Sequence, residues 1–110
     1  MIIFRLAVLM TALGLLCACA PPTRPVADAH RGQQVFEAGC AVCHYADRDA
    51  TKVGPSLKGL FRSARLPNGQ KVSDRAVRDW IRNGDQKMPP FRNALTRQQI
   101  DDVVRYLHTL

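Results

Sequence analysis

Apolar positions recur at helical spacing in three separate stretches, and polar or turn-forming segments divide them. Ala29, Gly32, Val35/Phe36 and Gly39 return every three or four residues, with Asp28 placed to cap the stretch. Val77, Trp80 and Ile81 share one face of a second stretch that starts at Ser73 or Asp74 and stops at Asn83-Gly84. The third is the strongest: Thr96-Arg97-Gln98-Gln99 is a capping-box signature, and Ile100, Val103, Val104 and Leu107 follow at i, i+3, i+4 and i+7. The pattern therefore predicts three main helices joined by turns and loops. Gly32 inside the first helix costs about 1 kcal/mol against alanine, which suggests that another backbone or ring packs close there. Tyr106 lies beside the last stripe and is the expected partner for Gly32 and Phe36.

Ahead of these helices the pattern changes. One charge, Arg5, precedes an uncharged stretch from Leu6 to Ala20 that ends in small residues, the form of an export signal. Ala18-Cys19-Ala20 suits an ordinary signal peptidase, whereas Leu16-Cys17-Ala18-Cys19 resembles a bacterial lipobox with cleavage before a lipidated Cys19. Residues 19–27 are rich in proline, as suits a spacer holding a domain off a membrane, and lipidation would also remove an unpaired exported thiol. The expected organisation is an export signal at 1–18, a Pro-rich spacer at 19–27 and one domain at 28–110, placing the protein in the periplasm with a membrane tether at Cys19.

Cys40-Ala41-Val42-Cys43-His44 carries the chemistry. C-x-x-C-H is the attachment signal of a c-type haem, in which two thiols add to the vinyl groups and the imidazole binds the iron. A zinc site would need a second ligand pair, and a thioredoxin-like pair would need βαβ patterning; neither follows. A Cys40–Cys43 disulfide is the plain alternative in an exported chain. An iron-bound His needs an acceptor on its other ring nitrogen, and the carbonyl of Pro55, in Gly54-Pro55-Ser56-Leu57, is the candidate. Met1 and Met10 lie in the export signal, which leaves Met88, stiffened by Pro89-Pro90, as the candidate second axial ligand. Trp80 reads as core wall whose indole N–H can also reach a haem propionate. His30 and His108 sit at element ends and read as exposed.

The chain holds 16 lysines and arginines against 9 acidic residues, for a formal charge of +7. The cations are dispersed and lack the aromatic interleaving or motifs of a nucleic-acid binder, so no nucleic-acid partner is expected. They suit either a solvated surface or steering toward redox partners with acidic docking surfaces.

Taken in order, Gly32 and Phe36, Cys40/Cys43/His44, the segment 54–60, Met88-Pro89-Pro90-Phe91 and the last helix with Tyr106 resemble the class I cytochromes c. The run from Gly54 through Leu66-Pro67-Asn68-Gly69 to Phe91 is especially similar to the cytochrome c domain fused to haem-copper oxidase subunit II. The resemblance implies one covalently bound haem c, thioether links at Cys40 and Cys43, His44 and Met88 as axial ligands, and a Pro55 carbonyl that orients His44. It implies an all-α class I cytochrome c fold, three main helices plus short turns around that haem, and it places Trp80 near the propionates. It implies a monohaem carrier of single electrons between respiratory or periplasmic partners, and not an enzyme. The other readings are a dedicated haem subunit of a larger dehydrogenase or oxidase, and a sensing or catalytic haem protein with a labile Met88.

Overall fold

The structure is a computed structural model that describes residues 20–110. The expected export signal and Cys19 lie outside the described residues. Among those described, α1 (Ala29–Gly39), a 3-10 turn (Leu60–Arg62), α2 (Asp74–Asn83) and α3 (Arg97–Leu107) follow one another with no strand, the three helices that the periodicity predicts in the all-α fold that the resemblance implies. An isolated antiparallel bridge between Arg65 and Lys71 closes the loop at Pro67-Asn68-Gly69 into a small hairpin. None of the described helices is long and apolar enough to cross a membrane.

Each helix starts on a side-chain cap, which satisfies amides that have no partner inside the helix. Asp28 accepts from the Arg31 amide, and Ser73 from that of Ala76. At α3 the capping box is complete: Thr96 Oγ1 accepts from the Gln99 amide at 3.1 Å, and Gln99 Oε1 accepts from the Thr96 amide at 2.9 Å. α2 ends where Gly84 takes a φ of 62°, a conformation that a side chain resists.

The core forms where α1 crosses α3. Gly32 is the crossing point, because a Cβ there would overlap the backbone carbonyl of Asp102 and press on Tyr106 Cβ at 2.9 Å. One turn on, the Phe36 and Tyr106 rings meet at 5.4 Å between centroids, tilted by 58°. Ile100, Val103, Val104 and Leu107 of α3 fill the centre, α2 adds Val77 and Ile81, and the hairpin adds Leu66. Val103 is 1% exposed.

Two features add long-range contacts that the pattern does not announce. Asp102 lies within the buried face of α3 and is 2% exposed. Its carboxylate accepts from the Asp28 amide at 2.8 Å, from Arg31 Nε at 2.9 Å and Nη2 at 3.0 Å, and from Gln98 Nε2 at 3.0 Å. His108 is exposed, as expected of an element end, and it also stacks on Phe61 with centroids 3.6 Å apart, with its Nε2 2.7 Å from Asp74 Oδ1. With the Arg62 guanidinium donating to the Leu110 carbonyl at 2.9 Å, this ties the end of α3 to the 3-10 turn and the start of α2.

Burial pushes the Asp102 carboxyl up, but the Arg31 guanidinium, the Asp28 amide and the Gln98 amide together outweigh it and hold the group below the usual carboxylate range. A depressed carboxylate stabilises the fold at pH values above its unfolded pKa and loses that contribution as pH falls through its folded value. Asp102→Asn should therefore cost about 1–3 kcal/mol at neutral pH. The gap between variant and wild type should close as pH drops below about 4, read by denaturant melts across pH.

Candidate haem-attachment site

After α1 the chain makes one further tight turn. The amides of Cys40 and Ala41 both donate to the Phe36 carbonyl, and those of Cys43 and His44 both donate to the Cys40 carbonyl at 3.1 and 3.0 Å. The two cysteines and the imidazole are thereby carried on a single turn fastened to the core. Both cysteines are free thiols; Cys40 is buried and Cys43 half-buried. Burial, with the neighbouring Cys43, pushes the Cys40 thiol up to about 11.

The following loop folds back as a strap over this turn. The Gly54 amide donates to the Cys43 carbonyl at 2.7 Å, the Leu57 amide to the Tyr45 carbonyl at 2.9 Å, and Lys52 Nζ to the Ala41 carbonyl at 2.9 Å. Tyr45 lies between two cations, 4.8 Å from the Arg48 guanidinium carbon and 5.3 Å from Lys52 Nζ. The strap presses on the imidazole: a Cβ at Gly54 would overlap His44 Cε1 and stand 2.8 Å from Nδ1. The Pro55 carbonyl oxygen is 2.7 Å from His44 Nδ1. With Nδ1–H donating there, Nε2 is the nitrogen that keeps its lone pair.

Met88 is held by its backbone. Asp85 Oδ1 accepts from the Lys87 amide at 2.7 Å and the Met88 amide at 2.8 Å, and the Asp85 amide donates to the Met88 carbonyl at 2.9 Å. Those amide bonds hold the Asp85 carboxyl below its ordinary range. Gly84 leaves space for the Met88 carbonyl, which a Cβ would overlap. The Phe91 amide returns to the Ile81 carbonyl at 3.0 Å, so both ends of the loop are pinned to α2. Asp85 escaped the sequence reading, although an aspartate two and three residues before acceptor-seeking amides is an Asx-turn signal. Trp80 is half-buried against the core.

These residues fit a covalently held haem. Two free thiols share one turn, an imidazole keeps one nitrogen available, and Met88 brings a thioether on an anchored loop. Leu57, Leu60, Phe61, Phe91 and Leu95 stay half-buried beside the core, apolar surface that suits a large apolar ring.

Comparison with known proteins decides the family. The family described as cytochrome C oxidase, cbb3-type, subunit III matches residues 27–107. The cytochrome c6 of Picosynechococcus sp. is 33% identical over 93% of this chain and 89% of its own length, and that of Nostoc sp. is 31% identical over 96% and 89%. Among solved structures, cytochrome c6 from the diatom Phaeodactylum tricornutum superposes with a TM-score of 0.60 at 25% identity, over 74% of this chain and 92% of that one. Cytochrome cH from Methylobacterium extorquens shares the fold, with a TM-score of 0.54 at 23% identity over 76% of this chain and 99% of that one.

The chain belongs to the class I c-type cytochromes. This cytochrome carries one covalently bound haem c and transfers single electrons; it is not an enzyme. In this cytochrome Gly54→Ala should drive a methyl group into the His44 ring, lowering the thermal midpoint of the holoprotein by roughly 5–10 °C. Calorimetry of the purified variant checks this, and an unchanged midpoint would mean that the strap yields without cost.

Proposed function

We propose that this cytochrome shuttles electrons on the periplasmic side of a bacterial membrane, with Cys40 and Cys43 as the thioether positions and His44 and Met88 as the axial pair. The bound haem supplies the one-electron redox chemistry. Pro55 orients His44 through the Nδ1 hydrogen bond and leaves Nε2 for the iron. Trp80 lies at the wall nearest the propionates. The observation that carries this reading is Met88, whose amide and carbonyl are both engaged by Asp85, so that the thioether is borne on a fixed backbone instead of a free loop. A methionine opposite histidine raises the potential and closes the iron to substrate, which suits transfer and not turnover.

The donor and acceptor are redox proteins with acidic docking surfaces, drawn by the excess of cations on this chain. The likeness of residues 54–91 to the cytochrome c domain of haem-copper oxidase subunit II points to a terminal oxidase as acceptor. Residues 1–18 act as the export signal, Cys19 is the lipidated tether, and residues 19–27 are the spacer to the domain. Acyl chains contribute about 0.8 kcal/mol per buried methylene, so a multiply acylated Cys19 holds the protein on the membrane durably.

The weak near-infrared absorption that reports sulfur–iron ligation should be present in the oxidised protein and vanish in Met88→Ala. A missing band in the wild type, together with ready carbon monoxide binding by the reduced form, would instead identify an open iron and a sensing or catalytic role. The intact mass of the mature protein should show acyl chains on a polypeptide that starts at Cys19; an unmodified chain starting further on rejects the tether.

A further inference from the structure

Although the cations of this cytochrome are dispersed over the chain, four arginines of α2 and the start of α3 meet at one groove. Neither helix contains a lysine. Arg75, Arg78 and Arg82 recur at i, i+3 and i+7, on the face of α2 turned away from buried Val77 and Ile81. With Arg97 of α3 they line a cavity of about 320 Å³ whose other walls are Asp79 and Ile100. Four guanidinium groups thus face one carboxylate. Arg78 is paired with Asp101 at 2.5 Å and Arg75 loosely with Asp79 at 3.8 Å. Among the described residues, Arg82 and Arg97 have no carboxylate at salt-bridge distance.

Arg78 also walls a second cavity of about 230 Å³, lined by Ala27, Asp74, Asp101, Val104, Arg105 and His108. Ala27 is the last residue of the Pro-rich spacer, so the chain from the proposed tether enters the domain beside the arginine groove. Residues 20–26 are exposed, and at about 3.1 Å per residue for a Pro-rich chain they keep Cys19 within about 25 Å of Ala27. Neither cavity is lined by residues 40–44 or by Met88.

We infer that the arginine groove between α2 and α3 binds the phosphate groups of anionic phospholipids and lays this face of the domain on the membrane. Guanidinium groups suit this ligand because their planar forks match phosphate oxygens two at a time. The assignment to lipid over an acidic protein rests on the proposed tether at Cys19, since a tethered domain meets headgroups at a high effective concentration that a free partner does not reach. Membrane contact at the groove leaves the residues of the haem site outside the occupied cavities. The groove and the haem site then have separate tasks, one toward the bilayer and one toward the redox partner.

Co-sedimentation of the mature holoprotein with vesicles tests this. Vesicles of phosphatidylcholine alone should bind through the tether only, whereas vesicles with about one-third phosphatidylglycerol should bind about 10-fold more tightly at low salt and lose that increment at high salt. Arg82→Gln with Arg97→Gln should remove most of the increment. Arg65→Gln with Lys71→Gln, which deletes two cations of the hairpin that do not line the groove, should keep it. Equal binding to the two vesicles overturns the inference, as does an equal loss in both double variants. So does binding to polyglutamate that exceeds binding to the anionic vesicles, since that makes an acidic protein the occupant. The tether is judged separately by mass: a charge-dependent increment in a protein without acyl chains supports the groove while rejecting the anchor.

Discussion

The contact between the Gly32 backbone and the Asp102 carbonyl sets the spacing of α1 and α3, and the rest of the structure is built outward from it. One residue supplies both halves of this junction. The Asp102 backbone receives α1 at Gly32, while its carboxylate reaches the start of the same helix at Asp28 and Arg31. Arg31 is half exposed, so its attraction to Asp102 is screened by water. The hydrogen bonds to a buried carboxylate are therefore the larger part of what would be lost if the helices separated. Only with the helices this close do Phe36 and Tyr106 meet, and only then does Cys40, one turn beyond Phe36, sit in the core.

The chemistry is assembled from loops fastened by backbone hydrogen bonds. The turn at 40–44 continues the α1 pattern, the strap at 54–57 is bonded to that turn, and the Met88 loop is bonded at both ends to α2. Helices supply rigidity and loops supply reach, which is the usual division of labour in a binding site. Electron transfer needs little movement on changing oxidation state, and loops restrained at both ends answer that need.

Much of this was legible because its cause is local. The capping box at Thr96 and Gln99, the α3 stripe and the cysteine-histidine signature are fixed by residues within a turn of one another, and Gly32 announced a close approach by its cost. What escaped depends on partners far away in the chain. Nothing beside Asp102 in the chain announces its burial, because Arg31, which pairs with it, lies 71 residues earlier. The partners of exposed His108, Phe61 and Asp74, likewise come from two other elements. Asp85 was local and readable, but attention to the prolines after Met88 drew the eye past the residue that holds its amide.

The link from Asp102 back to Asp28 and Arg31 spans more than 70 residues, and it has a consequence for order of events. The support that α3 gives α1 waits for nearly the whole chain, and contacts of such separation form late because their loop must close first. Cys40 shares the core with Ile100, Val103 and Val104 of α3, and burial, with the neighbouring Cys43, is what pushes its thiol up to about 11. The closing of the last helix on the first is therefore also the step that takes the Cys40 sulfur out of water.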